Sequence, residues 1–179
     1  KKKKKGKRKI EEYCRVRPPE NEIDSFLGFV DNYWIAFSEN IDEIKNYLSI
    51  EVDKQPAMMY RNKSGGNLLF RPIGQRPFVL CALALFDKTR NMKITMQIMN
   101  KINFEIDSDI WKFIVWNPIN KKMITSSNGA LIEYMLKYFS GIELSDKEML
   151  KLEEDFKGMK GDENLTNDDI FEILSRYKV

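Results

Sequence analysis

A reaction centre in this chain has few residue types to draw on. The sequence contains no histidine and two cysteines, Cys14 and Cys81. Without imidazole, a serine or thiol nucleophile needs a lysine or carboxylate as its base, and neither Cys14 nor any serine stands in the strand-to-helix elbow that exposes a nucleophile. Metal sites built on histidine and cysteine are excluded outright. Carboxylates remain: Asp107 with Asp109, and Asp168 with Asp169, offer pairs of acids, and two or three acids can hold a magnesium ion. The same placement suits acids at helix N-termini, which is the reading we favour. Residues from Asp162 to Glu172 do not form a calcium loop, since the turn glycine is missing and Ile173 occupies the twelfth position. The expectation is a domain with no catalytic residue, no metal and no cofactor.

Anion binding is the chemistry the sequence supports better. The stretch from Ser64 to Phe86 joins a glycine pair, Gly65-Gly66, to a strongly apolar segment by way of Arg71, Pro72, Gln75, Arg76 and Pro77. It lacks the Gly-Lys-Ser/Thr ending of a phosphate loop and the dinucleotide fingerprint. A helix N-terminus nevertheless offers unpaired N–H groups, and Arg71, Gln75 and Arg76 lie at this one. The competing reading has Arg71 and Gln75 bonding to nearby carbonyls and locking the entry to the helix. Residues 61 to 101 hold eight bases and one acid, Asp87, interleaved with Tyr60 and Phe70 just before and within the run. Such a face tracks a phosphate backbone, or is merely solvated. The candidate nucleic-acid-binding residues are Arg61, Lys63, Arg71, Gln75, Arg76, Arg90 and Lys93.

The elements that must position these groups read as helices. Pro72 and Pro77 push the residues before them towards extended backbone, so a helix is expected to open at Arg76 with Pro77 in its first turn. Phe78, Cys81, Ala82, Leu85 and Phe86 then follow helical spacing, and Val79, Leu80, Leu83 and Ala84 make the other faces apolar too. This predicts a helix at about 77–90, buried on all sides, as the centre of the domain. Asn67 to Phe70 reads as a short extended run. Further helices are expected over 22–37, 40–48, 92–102, 110–116 (capped by Ser108 and ended by Asn117-Pro118) and to Phe139 from a cap at Ser127 or Asn128. Ser145 with Glu148 forms a capping box for a helix to about Lys157, and Thr166 with Asp169 caps a last one. Residues 51 to 62 read as loop with a helical turn at 57–60, and 103–107 as a turn or short strand. The fold expected is all-α or nearly so. A basic tail (1–20), a helical core (21–141) and an acidic helical pair (142–179) are its expected parts.

The overall charge of +3 conceals three separate facts. Residues 1 to 9 carry eight bases, residues 141 to 179 carry eleven acids against six bases, and the remainder is balanced. A run such as Lys1 to Lys9 repels itself and is expected to be disordered, as a nucleic-acid arm or a linker. The chain opens without an initiator methionine, which reads as a piece of a longer protein. Cys81 lies within the apolar helix and Cys14 stands alone, so a reduced, cytoplasmic setting is expected over a disulfide framework. The longest apolar run, Phe78 to Phe86, is far short of the ~20 residues that cross a membrane, and no signal peptide follows the lysines.

The segment Gly66-Asn67-Leu68-Leu69-Phe70-Arg71-Pro72-Ile73-Gly74-Gln75, with Trp111, Trp116-Asn117-Pro118, Met123-Ile124 and 128–141, resembles the C-terminal part of bacterial DGQHR-domain proteins, which are associated with DNA phosphorothioation, DNA modification and defence. The name-giving Asp-Gly-Gln-His-Arg motif is absent: Gly74-Gln75-Arg76 follows Ile73, and there is no histidine. No catalytic role is carried over. The resemblance implies a cytoplasmic bacterial protein acting on DNA or within a DNA-modification complex, with this chain as an accessory helical domain beside other domains or subunits. The alternative expectation is a protein-interaction or oligomerisation module without nucleic acid. A metal-dependent nuclease or NTPase using the aspartates ranks last.

Overall fold

The computed structural model of the protein describes residues 19–54, 56–63, 65–124, 129–162 and 164–179. The lysine run, Cys14 and the expected cap at Ser127 or Asn128 lie outside these. Among the described residues there are eight α-helices and one two-residue hairpin, so the fold is nearly all-α. The helices are α1 (Glu20–Asn40), α2 (Asp42–Ser49), α3 (Ala57–Tyr60), α4 (Pro72–Thr89), α5 (Met92–Met99), α6 (Gly129–Phe139), α7 (Asp146–Lys160) and α8 (Asn167–Ser175). β1 (Trp116–Asn117) pairs antiparallel with β2 (Lys122–Met123), Trp116 opposite Met123. The chain divides into two compact units, residues 1–35 and 36–179, and the acidic C-terminal helices belong to the second with the core.

α4 organises the second unit, but it begins four residues earlier than its prolines suggest. Pro72 is the first helical residue and Arg71 the N-cap, so Pro77 lies inside the helix. A first-turn proline loses nothing, because its N–H would be unpaired there in any case. Gly74 explains the early start. A Cβ at this position would collide with the carbonyl and side chain of Leu68, so the first turn rests directly on the preceding backbone. Nor is α4 buried on all sides. Gly74, Pro77, Phe78, Cys81, Ala82 and Leu85 are buried, one stripe at three- and four-residue spacing, while Val79 is exposed and Leu80, Leu83 and Phe86 are half-buried. An apolar residue on a helix need not face the core.

That stripe packs along α6, which contributes Leu131, Ile132, Met135, Leu136 and Phe139, and against α5, which contributes Met92, Met96 and Met99. Phe78 makes edge contacts with Phe37 and Phe104 at 5.4 and 5.7 Å. Burying a side chain of this size stabilises by roughly 1.5–3 kcal/mol, which is why the helices assemble here. Both expected capping boxes are present: Ser145 with Glu148 opens α7 and Thr166 with Asp169 opens α8. Leu152 and Phe156 of α7 and Ile170 and Leu174 of α8 are their buried faces.

Two expectations fail locally. Residues 110–116 do not form a helix. They make a succession of turns, with Phe113 at φ 63° and its N–H donating to the Trp116 carbonyl, and the chain then enters the hairpin. Ser108 caps nothing; its hydroxyl is buried without a partner. Ile110, Trp111, Ile114, Val115 and Trp116 are all buried, a density that one face of a short helix could not supply. Leu68 to Phe70 is a 3₁₀ turn, capped by the Asn67 side chain, and not an extended run. The neighbouring 102–106 segment is extended, with Ile102, Phe104 and Ile106 buried and the residues between them exposed.

Cys81 has no exposed surface, with its sulfur 3.7 Å from Met99 Sδ and 3.5 Å from the Ser140 hydroxyl. Burial pushes its thiol from 9.0 up to about 11. A raised acid favours the folded state below the unfolded value, so this contribution is full below pH 9.0 and fades as pH rises through about 11. A thiolate-specific reagent at neutral pH is expected to modify Cys81 only after denaturation; fast modification of the native protein contradicts the packing. Gly74→Ala is expected to cost roughly 1–3 kcal/mol in urea unfolding, as overpacking does. Gly158→Ala, in α7 with open space around it, is expected to be neutral or stabilising by up to about 1 kcal/mol.

Candidate nucleic-acid interface

The entrance to α4 is built from a turn that only glycine can make. Gly65 and Gly66 have φ of 107° and 79°, and a Cβ on Gly66 would run into the Tyr60 carbonyl. The chain then bridges to the extended segment: Leu68 N–H donates to the Phe104 carbonyl and Ile106 N–H to the Gly66 carbonyl, each at 2.8 Å. Asn67 sits between them, 1% exposed. Its N–H donates to the Tyr60 carbonyl and its Oδ1 accepts from the Leu69 N–H. Its Nδ2 faces Glu43 at 3.3 Å and, more weakly, Glu105 at 3.5 Å. Burial raises the Glu43 pKa, and the nearby Glu105 and Asp42 charges add to the rise, while hydrogen bonds including that from Asn67 oppose it.

Two guanidinium groups lie on this frame. Arg71 Nη2 donates to the Gly65 carbonyl at 2.6 Å, and Arg61 Nε donates to the Phe70 carbonyl, also at 2.6 Å. Burial, and then the charge of Arg61, pull the Arg71 pKa below its ordinary value. Like charges are thus held near each other by backbone carbonyls. Arg71 Nε is buried with no partner. Tyr60 and Phe70 stack beside them, centroids 4.2 Å apart and planes 15° apart, with Tyr47 at 5.2 Å from Phe70. Two carbonyl-anchored cations next to a flat aromatic pair can take a phosphate and a ring face.

Of the seven residues singled out in the sequence, Arg61, Lys63, Arg71, Gln75 and Arg76 belong to this entrance. Lys63, Gln75 and Arg76 are exposed, and Arg71 is half-buried. Arg90 and Lys93 do not join them. Arg90 is the left-handed cap at the far end of α4, paired with Asp87 at 3.6 Å, and Lys93 is in the first turn of α5. Eighteen residues of helix separate the two ends by about 27 Å. One basic face in the sequence is therefore two basic ends in the fold. The locking reading is met by Arg71, whose Nη2 holds the Gly65 carbonyl of the glycine turn. Gln75 uses its backbone N–H, not its side chain, on the Arg71 carbonyl.

The carboxylate pairs do not gather. Asp109 forms an ion pair with Lys112 at 2.8 Å, which holds its carboxyl below the usual range. Asp169 belongs to its capping box. Among the described residues no group of three possible ligands is close enough to hold a metal. Sequence reasoning missed Lys160, whose Nζ donates to the carbonyls of Asp109 (3.0 Å) and Lys112 (2.8 Å) and lies 5.5 Å over the Phe156 ring. Burial pulls its pKa down to about 8. Its partners are carbonyls 48 and 51 residues away, a relation no local pattern carries. No helix among the described residues is long and apolar enough to cross a membrane.

No family model, curated protein or solved structure matches this chain.

Arg71→Ala is expected to cost roughly 1.5–3 kcal/mol, the usual worth of a hydrogen bond from a charged donor, by freeing the Gly65 carbonyl. Arg76→Ala, with no hydrogen bond to lose, is expected to leave urea unfolding unchanged. Equal losses in the two variants would contradict a locking role for Arg71.

Proposed function

We propose that this chain is a helical accessory domain that contacts a DNA phosphate backbone through the entrance to α4. The reading rests on one observation: Arg61 and Arg71 are held close by backbone carbonyls, with no carboxylate paired to either among the described residues. The carbonyl bonds hold the turn at the cost of keeping two like charges near each other, and an anion bridging them removes the repulsion. Lys63, between them in sequence, and Arg76, beyond Arg71, add to the charge. The resemblance to DGQHR-domain proteins supplies the context of this proposal, a bacterial cytoplasmic system that modifies DNA, with other domains or subunits alongside. No catalytic step belongs to this domain.

Fluorescence anisotropy of a labelled duplex at two salt concentrations tests the reading. Each lost phosphate contact lowers the slope of log affinity against log salt by about 0.9. Lys63→Ala with Arg76→Ala is expected to weaken binding and lower the slope by about 2, while Arg90→Ala with Lys93→Ala changes both little. Binding that follows Lys1 to Lys9 alone, and ignores both pairs, overturns the proposal.

A further inference from the structure

Helix α1 carries a second surface of opposite character. Within residues 19–35, Phe26, Leu27, Trp34 and Ile35 are 58%, 51%, 58% and 55% exposed. Leu27 and Trp34 are seven residues apart, two turns, and so lie in one stripe. Asp24 and Asp31 have the same separation and each precedes one of them by three residues, so carboxylates run beside the apolar row. Residues 19 to 44 contain seven acids and no lysine or arginine.

An exposed apolar row with an acidic border selects among occupants. Nucleic acid and anionic lipid are repelled by it. A second copy of the same face brings like charges together across the contact, which opposes self-pairing. A helix with its own apolar row, bordered by lysine or arginine, satisfies both features at once. We propose that this face of α1 docks a basic amphipathic helical segment of a partner protein, with apolar side chains on Leu27 and Trp34 and cations against Asp24 and Asp31. This docking is independent of the nucleic-acid reading and involves none of its residues.

Trp34 supplies the signal. Of the three tryptophans, Trp111 and Trp116 are 0% and 5% exposed, so quenching by acrylamide reports on Trp34. The full chain is titrated with a synthetic amphipathic helix of leucine and lysine, and with the same peptide carrying glutamate for lysine. The expected result is a blue shift and loss of quenching with the lysine peptide alone, weakened by salt. Asp24→Asn with Asp31→Asn, a change of charge without shape at exposed positions, is expected to raise Kd roughly three- to tenfold. Circular dichroism of that variant confirms that its helix content is kept. Equal response to both peptides, no response to either, or an unchanged Kd in the double variant overturns the proposal. So does protection of Trp34 without peptide together with a dimeric mass by light scattering, which assigns the face to a second copy.

Discussion

The architecture of the second unit hangs on one buried amide. Asn67 is almost fully enclosed, and its three polar groups tie the α3 end, the 3₁₀ turn and the acidic pair Glu43 and Glu105 together. On either side of it, Gly66 and Leu68 exchange hydrogen bonds with the 104–106 segment. A buried amide with any of these unmade costs about 1–3 kcal/mol for each orphaned group, so the four stretches of chain are placed together or not at all. The direction of α4 follows, because Gly74 seats its first turn on Leu68, and the packing of α4 on α6 follows from that direction.

This constraint gives the basic entrance its particular form. The glycine turn aims the Gly65 carbonyl at Arg71, and the 3₁₀ turn aims the Phe70 carbonyl at Arg61. Each guanidinium uses one N–H on a carbonyl, and arginine has five donors and no acceptor, so others are left over. Ordering before binding lowers the entropy lost on contact. The same carbonyl bonds that position the arginines also hold the fold, which is why Arg71 is a poor probe of binding and Arg76, bound to nothing, is a better one.

What could be read in the sequence was what depends on near neighbours. The two capping boxes need residues three apart, and both are found at Ser145 and Thr166. The helices expected over 22–37 and up to Phe139 are likewise found, as α1 and α6, although Phe26, Leu27 and Trp34 of α1 are exposed. The start of α4 is not legible locally, because two prolines, Pro72 and Pro77, give the same signal, and only the contact of Gly74 with Leu68 decides between them. Residues 110–116 have the spacing of a helix, yet a dense set of buried residues and the pairing of β1 with β2 override it. Lys160, Asn67 and the stacked Tyr60 and Phe70 depend on partners brought close by folding. The six cations and Gln75 were legible as one basic stretch, but their separation into two ends followed from the length of α4.

Local pairing also explains why the entrance keeps its charge. Ion pairs such as Lys112–Asp109, Arg90–Asp87, Lys151–Asp155 and Arg176–Glu172 join residues three or four apart on one turn or helix. Each contributes little at the surface, yet each neutralises a cation cheaply, because the backbone already brings the partners together. Arg61, Lys63, Arg71 and Arg76 have no acid within four residues on either side. Their neutralisation therefore requires a charge from elsewhere, and the nearby carboxylates, Glu43 and Glu105, are engaged by the Asn67 amide. Arg90, by contrast, has Asp87 one turn away, and at three-quarters exposure that pair gives a passing polyanion little to gain. The sequence spacing of acids thus decides which end of α4 is left without a local counter-charge, and it is the end where the fold has already ordered two of the cations, Arg61 and Arg71.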